Sequence, residues 1–188
     1  MDLIARLRDV VSPDRPLADP TAFARFYQQT HAVVFRYAYM LHGGPHSEVE
    51  DCAADAFARA WTHRHRFAGN DDAALGWILT IARRIVIDRH RRQKSVRTTR
   101  DQPPAGPSTP EQLVLVRERE QLALDLLSHV SLAQREQLIL RYFLGWRVQD
   151  IATHLGMSAG AVSVSLHRAL RTLQSQHARL TEDLFHDS

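Results

Sequence analysis

One cysteine, Cys52, leaves this chain of 188 residues without an internal disulfide. Its companions Val49, Ala53 and Ala56 on one helical face make it a packing residue rather than a nucleophile. No apolar run approaches the ~18–20 residues that a bilayer span needs. The stretch MDLIARLRDVV breaks its few apolar positions with charge, unlike an export signal. A cytoplasmic protein with no membrane insertion is expected. Strand-type alternation is missing as well, which points to an all-α fold. So is an excess of one charge: the net charge is only +3, and any strongly basic stretch must be a local feature. HExxH, a cysteine pair, a phosphate loop and a nucleophile elbow are all lacking, so the eleven histidines have no catalytic company. The pairs His42/His46 and His63/His65 therefore stand alone, and His42 and His46, flanking Gly-Gly-Pro in a loop, are read as surface residues. No enzyme activity, metal or cofactor is expected.

What is present is helical periodicity in two blocks. Asp19 caps a helix with Pro20 in its first position, and Phe23, Phe26, Tyr27, Thr30, Val33, Val34, Tyr37, Ala38 and Leu41 keep its spacing until Gly43-Gly44. Ser47 and Glu50 have the spacing of a capping box. Val49, Cys52, Ala53, Ala56, Phe57, Ala60 and Trp61 then mark the inner face of a second helix, whose outer face carries Glu48, Asp51 and Asp55. The turn Phe67–Asp72 leads into a third. Periodicity stops over 95–110, where SVRTTRDQPPAGPST reads as an extended tether. Thr109, Pro110 and Gln112 open the second block, and Ser131 opens its next helix, running from Leu132 to Leu144 and ending at Gly145. The expected organisation is an N-terminal arm over 1–18, a helical bundle over 19–94, a linker over 95–110 and a second small bundle over 111–182. The arm, with Leu3, Ile4, Leu7, Val10 and Val11, fits either an extra helix or a loose segment.

The third helix, Leu75–Lys94, carries two distinct faces. Leu75, Ile78, Leu79, Ala82, Ile85 and Val86 form an apolar stripe that must pack inward. Trp77, Ile81, Arg84, Asp88 and Arg91 line another side at a spacing of three or four. From Arg83 to Lys94 there are six Lys/Arg (Arg83, Arg84, Arg89, Arg91, Arg92, Lys94) against Asp88 alone, a local charge of +5. Phosphates are the natural counterpart. A solvated helix end, favoured by the macrodipole, accounts for the charge equally well. Trp77 fits core and outer face alike.

In the second block, Val148–Leu166 has the layout of a helix-turn-helix: Ile151, Ala152 and Leu155, then Gly156 for the turn, Ser158 as the next cap, and Val162 and Leu166 to close the core. An ordinary helical hairpin shares that outline. As a DNA reader, the helix from Ala159 would enter the major groove and present Ser158, Gly160, Ser163, Ser165 and His167. Arg168 and Arg171 would hold backbone phosphate, which positions the helix without reading sequence.

With these motifs in order, the chain resembles the bacterial RNA polymerase sigma factors, specifically the compact extracytoplasmic-function (ECF) type that keeps only the second and fourth sigma regions. The resemblance spans Phe23–Lys94 and Glu111–Leu180. It rests on Glu50-Asp51, Ala56-Phe57, Trp61, Gly76 to Arg83, Asp88 and Arg91-Arg92 in front, and on Leu138 to Phe143, Asp150 to Ala152, Leu155 to Ser158, Gly160 to Val162 and Leu166 to Leu170 behind. It implies a promoter-specificity subunit that binds core RNA polymerase, recognises the −10 and −35 elements of promoter DNA, and helps open the duplex. By resemblance, Glu48, Glu50, Asp51 and Asp55 contact core polymerase, although a plain solvated face explains those charges too. Trp77, Arg83, Arg84, Asp88, Arg91 and Arg92 then meet the −10 strand, with Phe67–Asp72 helping to form a pocket for an extruded base. Ser158, Gly160, Ser163, Ser165, His167, Arg168 and Arg171 meet the −35 duplex. The tether would thread across the polymerase, and relatives are commonly held inactive by an anti-sigma factor. A stand-alone helix-turn-helix regulator is the alternative, and it leaves the first bundle without a task.

Four positions depart from the family pattern. Ala54 replaces a usual glutamine, Arg84 a usual asparagine, and Ser163 and Ser165 stand where a lysine and an arginine are common. Two cations fewer in the recognition helix imply weaker and less salt-dependent −35 binding.

Overall fold

The computed structural model describes residues 17, 20–67, 69, 71–94 and 121–186, with side chains placed for all of these except 71, 72, 93, 94 and 179–186. They fall into two compact units, one on each side of the 104/105 junction. Every regular element among them is helical. Asp19, the N-terminal arm apart from Leu17, the tether and the start of the second block at Thr109 lie outside the described residues.

The front unit is three helices: α1 (Pro20–His42), α2 (His46–His63, continued by one 3-10 turn over Arg64–Arg66) and α3 (Asp71–Lys94). Each packs on the other two. The core is the set of positions that share one face in each sequence. Phe26, Val33, Val34, Tyr37, Ala38 and Leu41 come from α1, and Val49, Cys52, Ala53, Ala56, Phe57 and Ala60 from α2. Leu75, Ile78, Leu79, Ala82, Ile85 and Val86, the expected stripe of α3, are likewise buried. Small side chains along α2 let two larger-faced helices approach it closely.

Two local expectations are corrected here. Ser47 and Glu50 form no capping box: α2 starts one residue earlier, at His46, with Pro45 at the N-cap and no side-chain cap bond. Proline fixes φ near its helical value and already directs the chain into the helix, so Ser47 lies inside the first turn. Glu50 instead faces His46 one turn back, at 3.6 Å. His42 is not in a surface loop. It belongs to the last turn of α1, is 4% exposed, and lies with its ring 5.3 Å from that of His90 and its Nε2 3.5 Å from a Glu48 carboxylate oxygen. A Cβ on Gly44 would collide with that ring, so the glycine is what allows the imidazole under the loop.

The rear unit holds α4 (121–128), α5 (Leu132–Leu138), α6 (Val148–Leu155) and α7 (Ala159–His186). Ser131 caps α5 as expected: its hydroxyl accepts from the Gln134 N–H at 3.3 Å while its own N–H donates to Gln134 Oε1 at 3.1 Å. Half-buried Arg135 donates from Nε to the Leu127 carbonyl at 3.0 Å, which ties α5 to the end of α4. Burial lowers the pKa of that guanidinium from its ordinary value.

The expected single helix to Leu144 is not continuous. Over Ile139–Phe143 it widens to a π turn, in which the Leu144 N–H donates to the Ile139 carbonyl at 3.0 Å. In an α-helix residues five apart point about 140° away from each other. The wider turn brings Ile139 and Leu144 to one side, and both are buried with Leu140.

α6 and α7 form the helix-turn-helix. Ile151, Ala152, Val162, Leu166 and Ala169 are buried where they meet, and α7 packs on α5 as well. Gly156 ends α6 in the left-handed region at φ 66°, ψ 37°. The Met157 N–H then reaches the Ala152 carbonyl at 2.8 Å and the Gly156 N–H the Thr153 carbonyl at 3.3 Å, a Schellman pair. Ser158 Oγ accepts from the Ala161 N–H at 3.1 Å and so caps α7. Nothing stands within 4 Å of where a Gly156 Cβ would go, so substitution there is opposed by backbone strain alone. Gly156→Ala is expected to lower stability by about 1–2 kcal/mol, read as a shift in the denaturant midpoint of the intact protein. An unchanged midpoint would show that the left-handed turn at Gly156 carries no such strain.

Candidate nucleic-acid interface

The second face of α3 opens onto solvent beside a groove. Arg84, Asp88, Arg91 and Arg92 are exposed, whereas Trp77, Ile81 and Arg83 are half-buried. Trp77 is thus neither core nor free surface: its indole leans on Phe67, ring centroids 5.3 Å apart and planes tilted by 32°. Together with Arg59, His63, Arg66, Ile81 and Arg84 it lines a groove of about 350 Å³. Arg59 and Arg66 were not among the residues singled out from the sequence, and His63 was noted there only as one of a histidine pair. The run His63-Arg64-His65-Arg66-Phe67 carries the missing signal, a second basic cluster just before the turn. Its Arg64 is committed elsewhere, stacked 3.6 Å above the Trp61 ring and bonded to the Trp61 carbonyl at 2.8 Å.

One cation of the basic block also turns inward. Arg89 donates to the Glu48 carbonyl at 2.9 Å and lies 3.4 Å from an Asp55 and 3.9 Å from an Asp51 carboxylate oxygen. It therefore fastens α3 to α2. The side chains of Asp51 and Asp55 remain 74% and 53% exposed, so these ion pairs add little stability. Glu50 is exposed and Glu48 half-buried, and the four carboxylates still form a surface on α2. Beneath it, burial pushes the Cys52 thiol up, partly offset by Arg89 and reinforced by Asp55, Glu48 and Asp51. A thiol kept protonated is a packing group.

In the rear unit, Ser158, Gly160, Ser163, His167, Arg168 and Arg171 are all exposed along the start and one side of α7. Ser165 is half-buried, because it borders the inward stripe Val162–Leu166–Ala169. Two further side chains stand out on this surface. Val164 is 52% and Met157 39% exposed, and the Met157 sulfur accepts from the buried Gln137 amide at 3.5 Å. Val164 was legible as an apolar residue out of phase with its own helix, a signal the motif pattern obscured.

Both halves match known families. Residues 26–96 fit the Sigma-70 region 2 family and residues 120–173 the Sigma-70, region 4 family. Across 160 residues the chain is 32% identical to the ECF RNA polymerase sigma factor SigL of Mycobacterium tuberculosis, covering 84% of this chain and 89% of that one. The chain belongs to the ECF sigma factors. This sigma factor is accordingly a promoter-specificity subunit of bacterial RNA polymerase and a non-enzymatic initiation factor. A free-standing regulator would leave the region 2 match, and the bundle that bears it, without a role.

Other relatives agree with that placement. The sigma factor is 32% identical over 186 residues to BldN of Streptomyces coelicolor (95% of this chain, 67% of that one) and 25% identical over 177 residues to SigX of Bacillus subtilis (88% of each). In fold it is similar to RpoE of Bartonella quintana, solved in complex with the anti-sigma factor NepR, with TM-score 0.65, 24% identity and coverage of 81% of this chain and 94% of that one. CnrH, solved in complex with the cytosolic domain of CnrY, matches with TM-score 0.63, 21% identity and coverage of 94% and 96%. Among the described residues of the sigma factor no helix is long and apolar enough to cross a membrane, and no group of three His, Cys, Asp or Glu side chains is arranged to hold a metal.

Proposed function

We propose that this sigma factor divides its work between a region over 19–94 that binds core polymerase and the opened −10 strand, a linker over 95–110, and a region over 111–182 that holds the −35 duplex. The observation that carries the reading is the surface of α3, where Arg84, Arg91 and Arg92 are exposed on the helix that supplies Trp77 and Ile81 to a basic groove. Separated DNA has the same two features, phosphates along its length and flat apolar bases between them. Arg83 continues the cationic surface inward, and Asp88 lies on the same exposed side, one turn from both Arg84 and Arg91. On α2, Glu48, Glu50, Asp51 and Asp55 present the acidic face that meets core polymerase. Ser158, Gly160, Ser163, Ser165 and His167 face base edges in the major groove, with Arg168 and Arg171 on phosphate. Val164 adds an apolar contact of the kind that suits a thymine methyl group. An anti-sigma factor of the sort that accompanies RpoE is the regulator in this reading, and the cytoplasm the site of action.

Run-off transcription with core polymerase across a promoter library is the test. Initiation confined to a subset of promoters supports the reading, and a chain with no affinity for core polymerase ends it.

Ser163 gives the reading a quantitative handle. Ser163→Lys is expected to tighten −35 duplex binding about eightfold near 0.1 M salt, and to steepen the salt dependence by about 0.9 in log–log slope. A filter-binding salt series with an unchanged slope would show that position 163 faces away from phosphate.

A further inference from the structure

The groove beside α3 has a composition that favours one nucleobase, an inference that rests on the proposed placement of the opened strand against this helix. Its wall is the Trp77 indole, held at a fixed tilt by Phe67, and among the described residues its polar lining consists of three guanidiniums and an imidazole with no carboxylate. Phosphate alone would need the cations and have no use for the indole. An apolar ligand would need the indole and be opposed by the cations. A base satisfies both, stacking its face on the ring and turning its in-plane acceptors to the guanidiniums.

Arg84 is the guanidinium best placed to read that edge. Trp77, Ile81 and Arg84 follow one another at i, i+4 and i+7 on a rigid helix, and helical side chains lean toward the N-terminus, so Arg84 leans back along the wall that Trp77 begins. It is exposed, and among the described residues no carboxylate forms an ion pair with it, Asp88 one turn further on included. Arg89 on the same helix, by contrast, is bound to α2. A free guanidinium pairs bidentately with two adjacent acceptors. The N7 and O6 atoms of guanine supply them, adenine places an amino donor beside its N7, and the single-ring pyrimidines give the indole less to stack on. We propose that Arg84 makes this groove selective for guanine in the non-template −10 strand.

The test uses holoenzyme and promoters already opened by a mismatch bubble, with each base placed in turn at every non-template position of the bubble. Opening cost is then removed, and only strand recognition is read. One position should favour guanine over the other three bases by about fivefold or more, the lower end for a bidentate contact. At that position 7-deazaguanine, which lacks the N7 acceptor, should bind no better than adenine. Holoenzyme carrying Arg84→Ala should lose the preference while its unfolding midpoint stays that of wild type, since the side chain is exposed.

A wild-type enzyme with no guanine-selective position overturns the proposal, as does a preference for cytosine or one that survives in Arg84→Ala. Loss of strand binding without any base preference would reduce Arg84 to a phosphate contact and overturn it as well. A holoenzyme that engages none of the bubbles fails at the earlier step, the placement of the strand on α3.

Discussion

Replacing Arg91 and Arg92 together by alanine is expected to weaken holoenzyme binding to the single-stranded −10 segment about 25-fold near 0.1 M salt. The figure follows from counterion release: each phosphate neutralised on a single strand contributes about 0.7 to the log–log salt slope, hence about fivefold in affinity at that concentration. Both side chains are exposed at the end of α3, so the loss comes from missing charge and not from unfolding. The deficit should be the same for every promoter sequence, and the salt slope should fall by about 1.4. This uniformity separates the pair from Arg84, whose removal is expected to change which base is preferred. Fluorescence anisotropy with labelled single strands at several salt concentrations measures both quantities. A double variant with wild-type slope would mean that these arginines face solvent and nothing else.

Ile78→Ala should be the most damaging single truncation in the front unit. The side chain is fully buried on the inward stripe of α3, a helix that packs against both α1 and α2. Cutting it back removes three carbons from a close-packed interior and leaves a cavity, a combination that costs about 2–5 kcal/mol. Small units are stabilised by only about 5–15 kcal/mol in total, so the variant would sit near its unfolding threshold at physiological temperature. Ile78→Val should cost about 0.5–1.5 kcal/mol. Trp61 and Trp77 belong to the front unit and Trp146 to the rear, which lets tryptophan emission be compared with backbone circular dichroism during urea unfolding. The front-unit transition should move to lower urea for Ile78→Ala and leave the rear-unit transition in place. If Ile78→Ala proves no worse than Ile78→Val, the position is not at the centre of this core.

Much of the architecture was readable because it is specified locally. The start of α1 at Pro20, the helix opening at Ser131 and the turn at Gly156 each depend on residues within about one turn of one another. The capping box at Ser47 failed on the same scale, because Pro45 two residues earlier set the helix entry first. The π turn at Ile139–Phe143 escaped notice for a different reason: its apolar residues satisfy an ordinary helical pattern, and only their shared burial asks for a wider turn.

The candidate site was legible in part. Arg84, Arg91, Arg92 and the exposed side of α7 lie where their spacing placed them, since helical periodicity alone decides which side of a helix a residue occupies. Arg89 belonged to the same charged run yet is spent on Glu48 and Asp55, 41 and 34 residues away in sequence. Arg59, His63 and Arg66 joined the groove from a different helix and turn.

From the sequence come the two helical blocks, the helix-turn-helix and the family they spell, all of them properties of neighbouring residues and their repeat. The packing of α1, α2 and α3 decided which arginines stay free, where Trp77 leans, and that His42 is buried. The reason is that a side chain's partner depends on the angle and depth at which helices cross, and those are fixed by core volume filled jointly from distant segments, a quantity no local pattern contains.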